Sequence, residues 1–376
     1  MIADSTVPPI HHIRVAGTAR QRGVSIGELS EKKIQHSLST YERLFSLCDI
    51  SWTQAVEKSS QFVKAVDAIS PDYIIELEGV AEGAGVDFES LLALNSRTEI
   101  LPSNFLSKAM ASSDSASFTN NTSPLPNTLN ECTSLAVTGD EKNYWLAQNW
   151  DWCGLQRQAM CVVESHPDAG GSHITVTEAG MLAKIGINSH GLAITLNILR
   201  SERDGISEGV PVHFLLRALL DCQNVEEAIS LVSSLSFCSS SNVMVQDATG
   251  KIASFELSPY GVKILEPDNN VLCHTNHFLD NALTSYDVGR PGNDSTINRL
   301  SRAQSYADAH MSESDIKQML CDQNDGLESI CRFADPTHPE IAQIETVTAV
   351  IMNTSKKTLS VSGAQPSMSD FKTYSL

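Results

Sequence analysis

The sequence predicts an α+β fold in which a mainly helical N-terminal segment precedes antiparallel β-sheets. Three observations favour this class. Apolar residues recur at helical spacing over much of residues 18–101, short β-branched segments begin just after Cys132, and turn sequences separate those segments. With 376 residues, of which 41% are hydrophobic, the chain has enough apolar material for a large core.

Four amphipathic helices are predicted before Pro102. Apolar residues spaced three and four apart indicate helices at residues 18–47 and 53–69. A third helix follows Pro71, whose ring suits a first turn, and Gly85 can end it. The fourth covers residues 88–101.

The next segment, residues 111–130, is rich in Ser, Thr, Asn and Pro and poor in apolar residues. It predicts a linker immediately before Cys132, as a self-processing enzyme would need, or an ordinary surface loop. We therefore divide the chain into residues 1–131, a small-subunit or propeptide segment, and residues 132–376, a catalytic segment. Together they are expected to form one globular domain.

From Cys132 onward the pattern changes to strands joined by tight turns, which indicates antiparallel hairpins. Predicted strands lie at 134–138, 144–147, 159–164, 173–177, 182–187 and 192–197. Helices at 210–220 and 225–235 come next, followed by four short strands between Ser241 and Cys273, a helix at 295–309, and strands at 346–352 and 358–361.

Composition excludes several classes of function. The net charge of -19, without any basic cluster, argues against nucleic-acid and anionic-membrane partners. No apolar run approaches the roughly 18 residues needed to span a bilayer, and the N-terminus lacks a signal-peptide pattern. Nine cysteines, an odd number, fit reduced thiols and a cytoplasmic location better than disulfides.

The most informative pattern is Cys132 followed by Thr, Ser and an apolar run, with Gln-Asn-Trp-Asp-Trp at residues 148–152. The spacing predicts a hairpin with the thiol at the exposed start of one strand and Asp151 at the end of the other. A thiol with a nearby base can attack a carbonyl, and that base can be its own α-amine if Cys132 becomes N-terminal. The alternative is a buried structural cysteine.

Four segments resemble the acyl-coenzyme A:6-aminopenicillanate acyltransferase family, the C45-type N-terminal-nucleophile hydrolases. They are residues 132–134, 148–151, 184–193 and 274–277. Residues 78–85 and 95–99 match the propeptide region of the same family, so the resemblance covers nearly the whole chain in order. It implies the four-layer αββα fold of N-terminal-nucleophile hydrolases.

The resemblance also implies roles for individual residues. Cys132 would be the nucleophile, Asp151 would orient the freed α-amine, and Asn276 would donate to the oxyanion. The structural alternatives are a turn residue for Asp151 and a loop amide for Asn276. His274 and His277 have a spacing that suits a metal, but no third ligand stands at a recognised distance, so no metal site is predicted.

Further residues follow from the same resemblance. Arg97 and Glu99 would lie near the scissile bond and take part in processing. The alternative is that they form an ion pair at the end of a helix. Trp150, Arg299 and Arg302 would bind substrate, although both arginines also suit surface salt bridges.

The predicted activity has two stages. Cys132 attacks the carbonyl of Glu131 and cuts the chain, and the freed cysteine then cleaves or transfers the acyl group of a small acylated amine. Glu131 departs from the glycine usual in this family, so processing is expected to be slow or incomplete. No cofactor is predicted, and the two self-cleaved fragments are expected to stay associated.

Two alternatives remain open. One is an N-acyltransferase that uses acyl-CoA as a co-substrate, and the other is an unprocessed, non-catalytic protein that binds small acylated molecules. The expected ligand is an acyl amide or acyl thioester. The acidic chain disfavours anionic substrates, although local charge in a pocket can override the net field.

Overall fold

The computed structural model describes residues 10–102, 132–206, 208–290 and 294–376. The predicted linker at 111–130 and Glu131 lie outside the described residues. Two β-sheets pack face to face, with helices against the outer face of each. This is the four-layer αββα arrangement, which confirms the expected fold class.

The first predicted helix is confirmed as α1, Ala19–Leu47. Thr18 caps it, because its side chain accepts a hydrogen bond from the backbone of Gln21 while the Gln21 side chain bonds back to Thr18. The helix that follows Pro71 is also confirmed as α4, Pro71–Ala84. It ends at Gly85, whose φ of 63° is the left-handed conformation that glycine adopts readily.

The other two predicted helices are interrupted. A 3₁₀ turn at Ser60–Phe62 separates α2, Trp52–Ser59, from α3, Val63–Asp67. Ser96 separates α5, Phe88–Asn95, from α6, Arg97–Ile100. The periodicity persists across both breaks, so the sequence pattern alone did not reveal them.

The first sheet has eight strands in the order β1-β4-β5-β6-β7-β8-β9-β10. Its strands are β1 His11–Gly17, β4 Met160–Pro167, β5 His173–Glu178, β6 Ile185–Asn188, β7 Ala193–Ile198, β8 Ser241–Gln246, β9 Ile252–Ser258 and β10 Gly261–Leu265. Strand β1 was not predicted, because only Ile13 and Val15 of its residues are buried. It pairs in parallel with β4, and so the N-terminal segment contributes an edge strand.

The second sheet has six antiparallel strands in the order β11-β2-β3-β12-β13-β14. Its strands are β2 Thr133–Thr138, β3 Tyr144–Cys153, β11 Val271–His274, β12 Ile344–Asn353, β13 Thr358–Ser362 and β14 Phe371–Ser375. The predicted hairpin of β2 and β3 is confirmed. Strand β14 was missed because it is a short, mostly polar edge strand.

Helices from both halves of the chain cover the sheets. The C-terminal helices are α7 Val212–Leu219, α8 Val225–Ser234, α9 Asp294–Tyr306 and α10 Glu313–Leu320. Helix α1 packs on the first sheet, whereas α9 and α10 pack on the second. Helix α10, which was not predicted, begins with a capping box between Ser312 and Asp315. No helix in the described ranges is long and apolar enough to cross a membrane.

Helices α1 and α4 cross at very short range because glycines face each other. A Cβ atom added at Gly23 would lie 2.1 Å from the carbonyl oxygen of Glu76, and one added at Gly83 would lie 2.1 Å from that of Val24. Gly27 and Gly79 have similarly close backbone neighbours. The crossing therefore leaves no room for any side chain at these positions.

We expect Gly83→Ala to lower the free energy of unfolding by about 2 kcal/mol, because the added methyl group forces the two helices apart. Urea denaturation would measure the change. Ser39→Ala, on the exposed face of α1, is the control and should leave stability nearly unchanged. An unchanged midpoint for Gly83→Ala would show that the crossing can relax without cost.

Candidate active site

Cys132 directly precedes β2, and the β2–β3 register places it beside the end of β3. Thr133 pairs with Asn149, so Cys132 lies near Trp150 and Asp151. The predicted exposure of the thiol is wrong, since Cys132 is only 4% exposed. The first sheet packs over this end of the hairpin, and the hairpin pattern alone carries no information about that layer.

The backbone of Cys132 is held on both sides. Its N–H donates to Asn276 Oδ1 at 2.6 Å, and its carbonyl oxygen accepts from Arg299 Nη1 at 2.7 Å. The guanidinium also donates to Thr133 Oγ1 at 3.0 Å and to Asn276 Oδ1 at 3.1 Å. Arg299 is completely buried, so these bonds fix Cys132 firmly.

The orientation of the Asn276 amide follows from its neighbours. Two donors, the Cys132 N–H and the Arg299 guanidinium, approach the same atom, which must therefore be the amide oxygen. The amide nitrogen then donates to the carbonyl oxygen of Ile198 at 3.0 Å. This hydrogen bond uses one of the two N–H groups of the amide.

Asp151 is fully buried on β3. Its Oδ1 accepts from Thr346 Oγ1 at 2.7 Å, while its Oδ2 has no hydrogen-bond partner among the described residues. Opposite Asp151, the register of β12 shifts between Thr346 and Thr348. Such β-bulges are common beside functional sites. Burial raises the pKa of Asp151 to about 7, against the opposing effect of Arg299 and the Thr346 hydrogen bond.

The thiol of Cys132 contacts the same residue. Its Sγ lies 3.9 Å from the carbonyl oxygen of Asp151, a weak S–H contact. Burial, followed by the nearby Asp151 charge, raises the pKa of the thiol to about 12. The thiol is therefore protonated at neutral pH, and nucleophilic attack requires a base.

A small enclosed cavity adjoins the thiol. Its volume of about 10 Å³ has room for roughly one water molecule. The residues that line it are Arg97, Cys132, Trp150, Asp151, Trp152, Lys184, Ile185, Leu196 and Ile198. Trp150, predicted to bind substrate, thus lies in the wall, and Arg97 brings a residue of the N-terminal segment to the same place.

A buried charge cluster forms one wall of this cavity. Lys184 Nζ lies 2.7 Å from Glu178 Oε2, and Arg97 Nη2 lies 3.3 Å from the same oxygen. The other oxygen, Oε1, accepts from Tyr41 at 2.6 Å. Although burial alone would raise the pKa of Glu178, Lys184 and Arg97 hold it below its usual value.

Lys184 and Arg97 also cover aromatic faces. The Lys184 ammonium lies 3.4 Å from the centre of the Trp150 ring, and the Arg97 guanidinium lies 4.4 Å from that of Trp152. Burial lowers the pKa of Lys184 to about 7, against the opposing effect of Glu178. Neither Lys184 nor Glu178 was predicted as a site residue. For Lys184, the available signal was a charged residue directly before the apolar strand β6.

The profile of a protein family described as acyl-coenzyme A:6-aminopenicillanic acid acyl-transferase matches residues 137–367. These residues are more than half of the 376 in the chain. The chain belongs to this acyltransferase family. The match contains Asp151, Asn276 and Arg299 and begins shortly after Cys132.

Two known proteins align with this member of the acyltransferase family. The acyl-coenzyme A:6-aminopenicillanic-acid-acyltransferase 40 kDa form of Emericella nidulans is 27% identical over 214 residues, 56% of this chain and 53% of that protein. This chain therefore spans about half the length of that relative. The β-alanyl-dopamine/carcinine hydrolase of Drosophila melanogaster is 26% identical over 322 residues, 79% of this chain and 77% of that protein.

Among solved structures, penicillin V acylase from Agrobacterium tumefaciens aligns with a TM-score of 0.43 and 19% identity. The alignment covers 61% of this acyltransferase family member and 82% of the acylase.

Two residues with predicted roles lie outside the Cys132 cluster. Arg302 forms two hydrogen bonds with Asp325, at 2.8 and 3.0 Å, and its side chain is 35% exposed. This is the surface salt bridge of the alternative prediction. Glu99 Oε1 instead accepts from the Val212 N–H at 2.9 Å and from Ser239 Oγ at 2.7 Å.

The two histidines flanking Asn276 have separate partners. His274 Nε2 lies 2.9 Å from Glu256 Oε1, and His277 Nδ1 lies 2.9 Å from Thr296 Oγ1. Thr296 also accepts from the Asn276 backbone N–H at 2.9 Å. Both histidines therefore stabilise the loop that carries Asn276.

The raised pKa of Asp151 predicts a specific pH dependence of stability. Because the folded-state pKa lies above the ordinary value of 3.8, the neutral carboxyl stabilises the fold at low pH. That contribution is lost as the pH rises from about 4 through 7. Relative to the parent, Asp151→Asn should gain about 3 kcal/mol of stability between pH 5 and 8, because the pKa of about 7 lies two pH units above 5 and each unit is worth about 1.36 kcal/mol.

Urea denaturation at pH 5 and pH 8, with Cys132→Ala as the parent to keep the chain uncut, would measure the gain. Asp325→Asn is the matched control, because Arg302 holds the pKa of Asp325 below its usual value. Its effect should be the same at both pH values. An equally flat response for Asp151→Asn would show that Asp151 is ionised at both.

Proposed function

We propose that this chain is a self-processing amidohydrolase or acyltransferase that uses Cys132 as an N-terminal nucleophile on small acylated amines. One observation carries the proposal. Asn276 and Arg299 hold the backbone of Cys132 on both sides, Cys132 and Asp151 line the same enclosed cavity, and Asp151 Oδ2 has no hydrogen-bond partner among the described residues. Membership of the acyltransferase family supports it.

In the processing stage, the Cys132 Sγ attacks the carbonyl carbon of Glu131. The peptide C–N bond breaks, and the acyl group moves from nitrogen to sulfur as a thioester. Water then hydrolyses the thioester, releasing the Glu131 carboxylate and a free α-amine on Cys132. Before the cut, the nitrogen of Cys132 is part of a peptide bond and cannot act as a base. Asp151, with a pKa of about 7, is then the residue of the cavity suited to accept the thiol proton.

In the turnover stage, the α-amine of Cys132 takes over as the base for its own thiol. Asn276 Oδ1, 2.6 Å from the Cys132 nitrogen, keeps that amine in place. The thiolate attacks the substrate carbonyl, the remaining Asn276 N–H stabilises the oxyanion, and the amine leaves. Water completes hydrolysis, whereas an incoming amine completes acyl transfer.

The size of the cavity bears on the alternative of an unprocessed binding protein. A volume of about 10 Å³ has no room for an acylated molecule. The chain as described thus offers no ligand site beside Cys132, and catalysis requires the cut to open this cavity. Mass spectrometry of the purified protein is the test, because a new N-terminus at Cys132 supports the enzyme and a permanently intact chain contradicts it.

The family description favours an acyl-CoA-dependent N-acyltransferase as the second candidate. We expect hydrolysis to dominate, since water needs no binding site of its own while an amine acceptor does. Incubation of one acyl thioester with increasing amine, followed by chromatography of free acid and new amide, would measure the partition. Amide that dominates at low amine, with little acid in its absence, would make acyl transfer the principal activity.

We also propose a reducing compartment such as the cytoplasm. All nine cysteines are free, and eight of them are buried. Free buried thiols are typical of proteins kept under reducing conditions.

A further inference from the structure

We infer that Lys184, Arg97 and Glu178 form a charged subsite that selects a short acyl group ending in a carboxylate over one of equal length ending in an ammonium. This inference rests on the proposed function and specifies its substrate class. It also reverses the preference expected from the net charge of the chain.

The subsite contains more positive than negative charge. Lys184 and Arg97 share a single oxygen of Glu178, whose other oxygen is occupied by Tyr41. One carboxylate is therefore shared between two cations. All three charged side chains are almost completely buried, so solvent does not screen them as it screens surface pairs.

The excess persists when the other charges near the cavity are included. Asp151 lines the cavity, and Arg299 lies close enough to lower its pKa. The cluster then has three cations and two carboxylates, a net charge of about +1 with every group ionised.

The other charged residues nearby lie outside the lining of the cavity. Glu345, which raises the pKa of Asp151, is paired with Arg157 at 2.8 Å. On the side of Arg97, Asp204 and Glu99 both raise the pKa of Arg200, and these three side chains lie outside the lining of the cavity. The charged residues that line the cavity itself are Arg97, Lys184 and Asp151, two cations and one carboxylate, within a chain of net charge -19.

The aromatic walls do not offer a site for a cationic group. An ammonium ligand would ordinarily bind over an aromatic face, but Lys184 already lies over Trp150 and Arg97 over Trp152. A carboxylate would instead meet unused donors. The Arg97 Nε–H is buried and has no partner among the described residues, and the Lys184 ammonium can donate three hydrogen bonds.

The chemistry places the acyl group, and not the leaving amine, next to these cations. The thioester keeps the acyl group on Cys132 Sγ, which lies in the enclosed cavity with Lys184 and Arg97. The amine must exchange with water or with an acceptor and so must face an open route. Because Lys184 and Arg97 line the same cavity as Cys132, only a short acyl chain on Cys132 would place its terminal group beside them.

Three p-nitroanilides of nearly equal size test the inference. Their acyl groups are succinyl, butyryl and β-alanyl, which end in a carboxylate, a methyl and an ammonium group. At pH 6.5, below the pKa of Lys184, we expect kcat/KM for the succinyl substrate to exceed that for the β-alanyl substrate by about ten-fold or more, with butyryl between them.

Charge variants test which residues set this ratio. Lys184→Met removes a cation and should lower the succinyl-to-β-alanyl ratio about ten-fold. Glu178→Gln removes the shared carboxylate and with it the interaction that raises the pKa of Lys184, so Lys184 should lose its proton at pH 6.5 and the ratio should stay close to the wild-type value. The double variant restores the charge balance and should return close to the wild-type ratio. Lys251→Met, which removes a half-exposed lysine, is the control and should leave the ratio unchanged.

The outcomes separate this inference from the function on which it rests. A purely structural role for the cluster would lower the activity on all three substrates equally and leave the ratio constant. A constant ratio, or a wild-type preference for β-alanyl, would overturn the inference while butyryl turnover upholds the proposed function. Processed protein that cleaves none of the three would overturn both. Circular dichroism and intact mass would verify folding and processing of each variant.

Discussion

Cys132→Ala is expected to remain a single uncut chain of 376 residues and to have no amide-cleaving activity. The same sulfur atom performs both the N-to-S shift and the attack on substrate, so its removal stops both stages. Cys132→Ser should still cut slowly, because a hydroxyl can perform the shift, but it should be a much poorer catalyst. Intact mass and release of a chromogenic amine would measure the two stages.

Cys222→Ala is the matched control for this experiment. Cys222 is also buried, in the hydrophobic core, and its Sγ donates a weak hydrogen bond to the carbonyl oxygen of Ala218 in α7. This variant should be cut and should turn over substrate normally, with a small loss of stability. Two fragments with normal activity from Cys132→Ala would end the proposal.

The second large effect is expected at Asn276. Asn276→Leu should reduce turnover about a hundred-fold or more, on the scale of losing one oxyanion donor. Asn276→Asp separates the two functions of this side chain. It keeps an oxygen for the Cys132 nitrogen and for Arg299 but removes the N–H that would face the oxyanion.

The measurement is kcat on processed protein whose folding has been verified. A similar loss in Asn276→Asp and Asn276→Leu would assign the effect to the donor. Normal turnover in the Asp variant would contradict the oxyanion role and leave Asn276 as the residue that positions Cys132.

Local pattern predicted the features that depend on adjacent residues. The alternation after Cys132 was enough to place the β2–β3 hairpin and to bring the thiol near Asp151. The Pro71 and Gly85 signals gave both ends of α4. Such features depend on steric preferences that act within a few residues.

Features that depend on distant packing were not predicted. Cys132 is buried because a second sheet covers it, and no residue near position 132 encodes that layer. Lys184 belongs to a buried charge cluster only because Arg97, 87 positions earlier in the chain, contacts the same oxygen of Glu178. The interruption of the helix at Ser96 likewise depends on packing, and the spacing of apolar residues does not reveal it.

Strand β1 has a consequence for the fate of the cut chain. A fragment that ends before Cys132 would carry β1, α1 and Arg97, yet β1 continues the ladder of β4 in parallel register from His11 to Gly17. If the fragment dissociated, a row of β4 backbone groups would become an unprotected edge, which is a template for aggregation. Solubility after cleavage is therefore a property of the pair, and a preparation of the larger fragment alone is expected to precipitate.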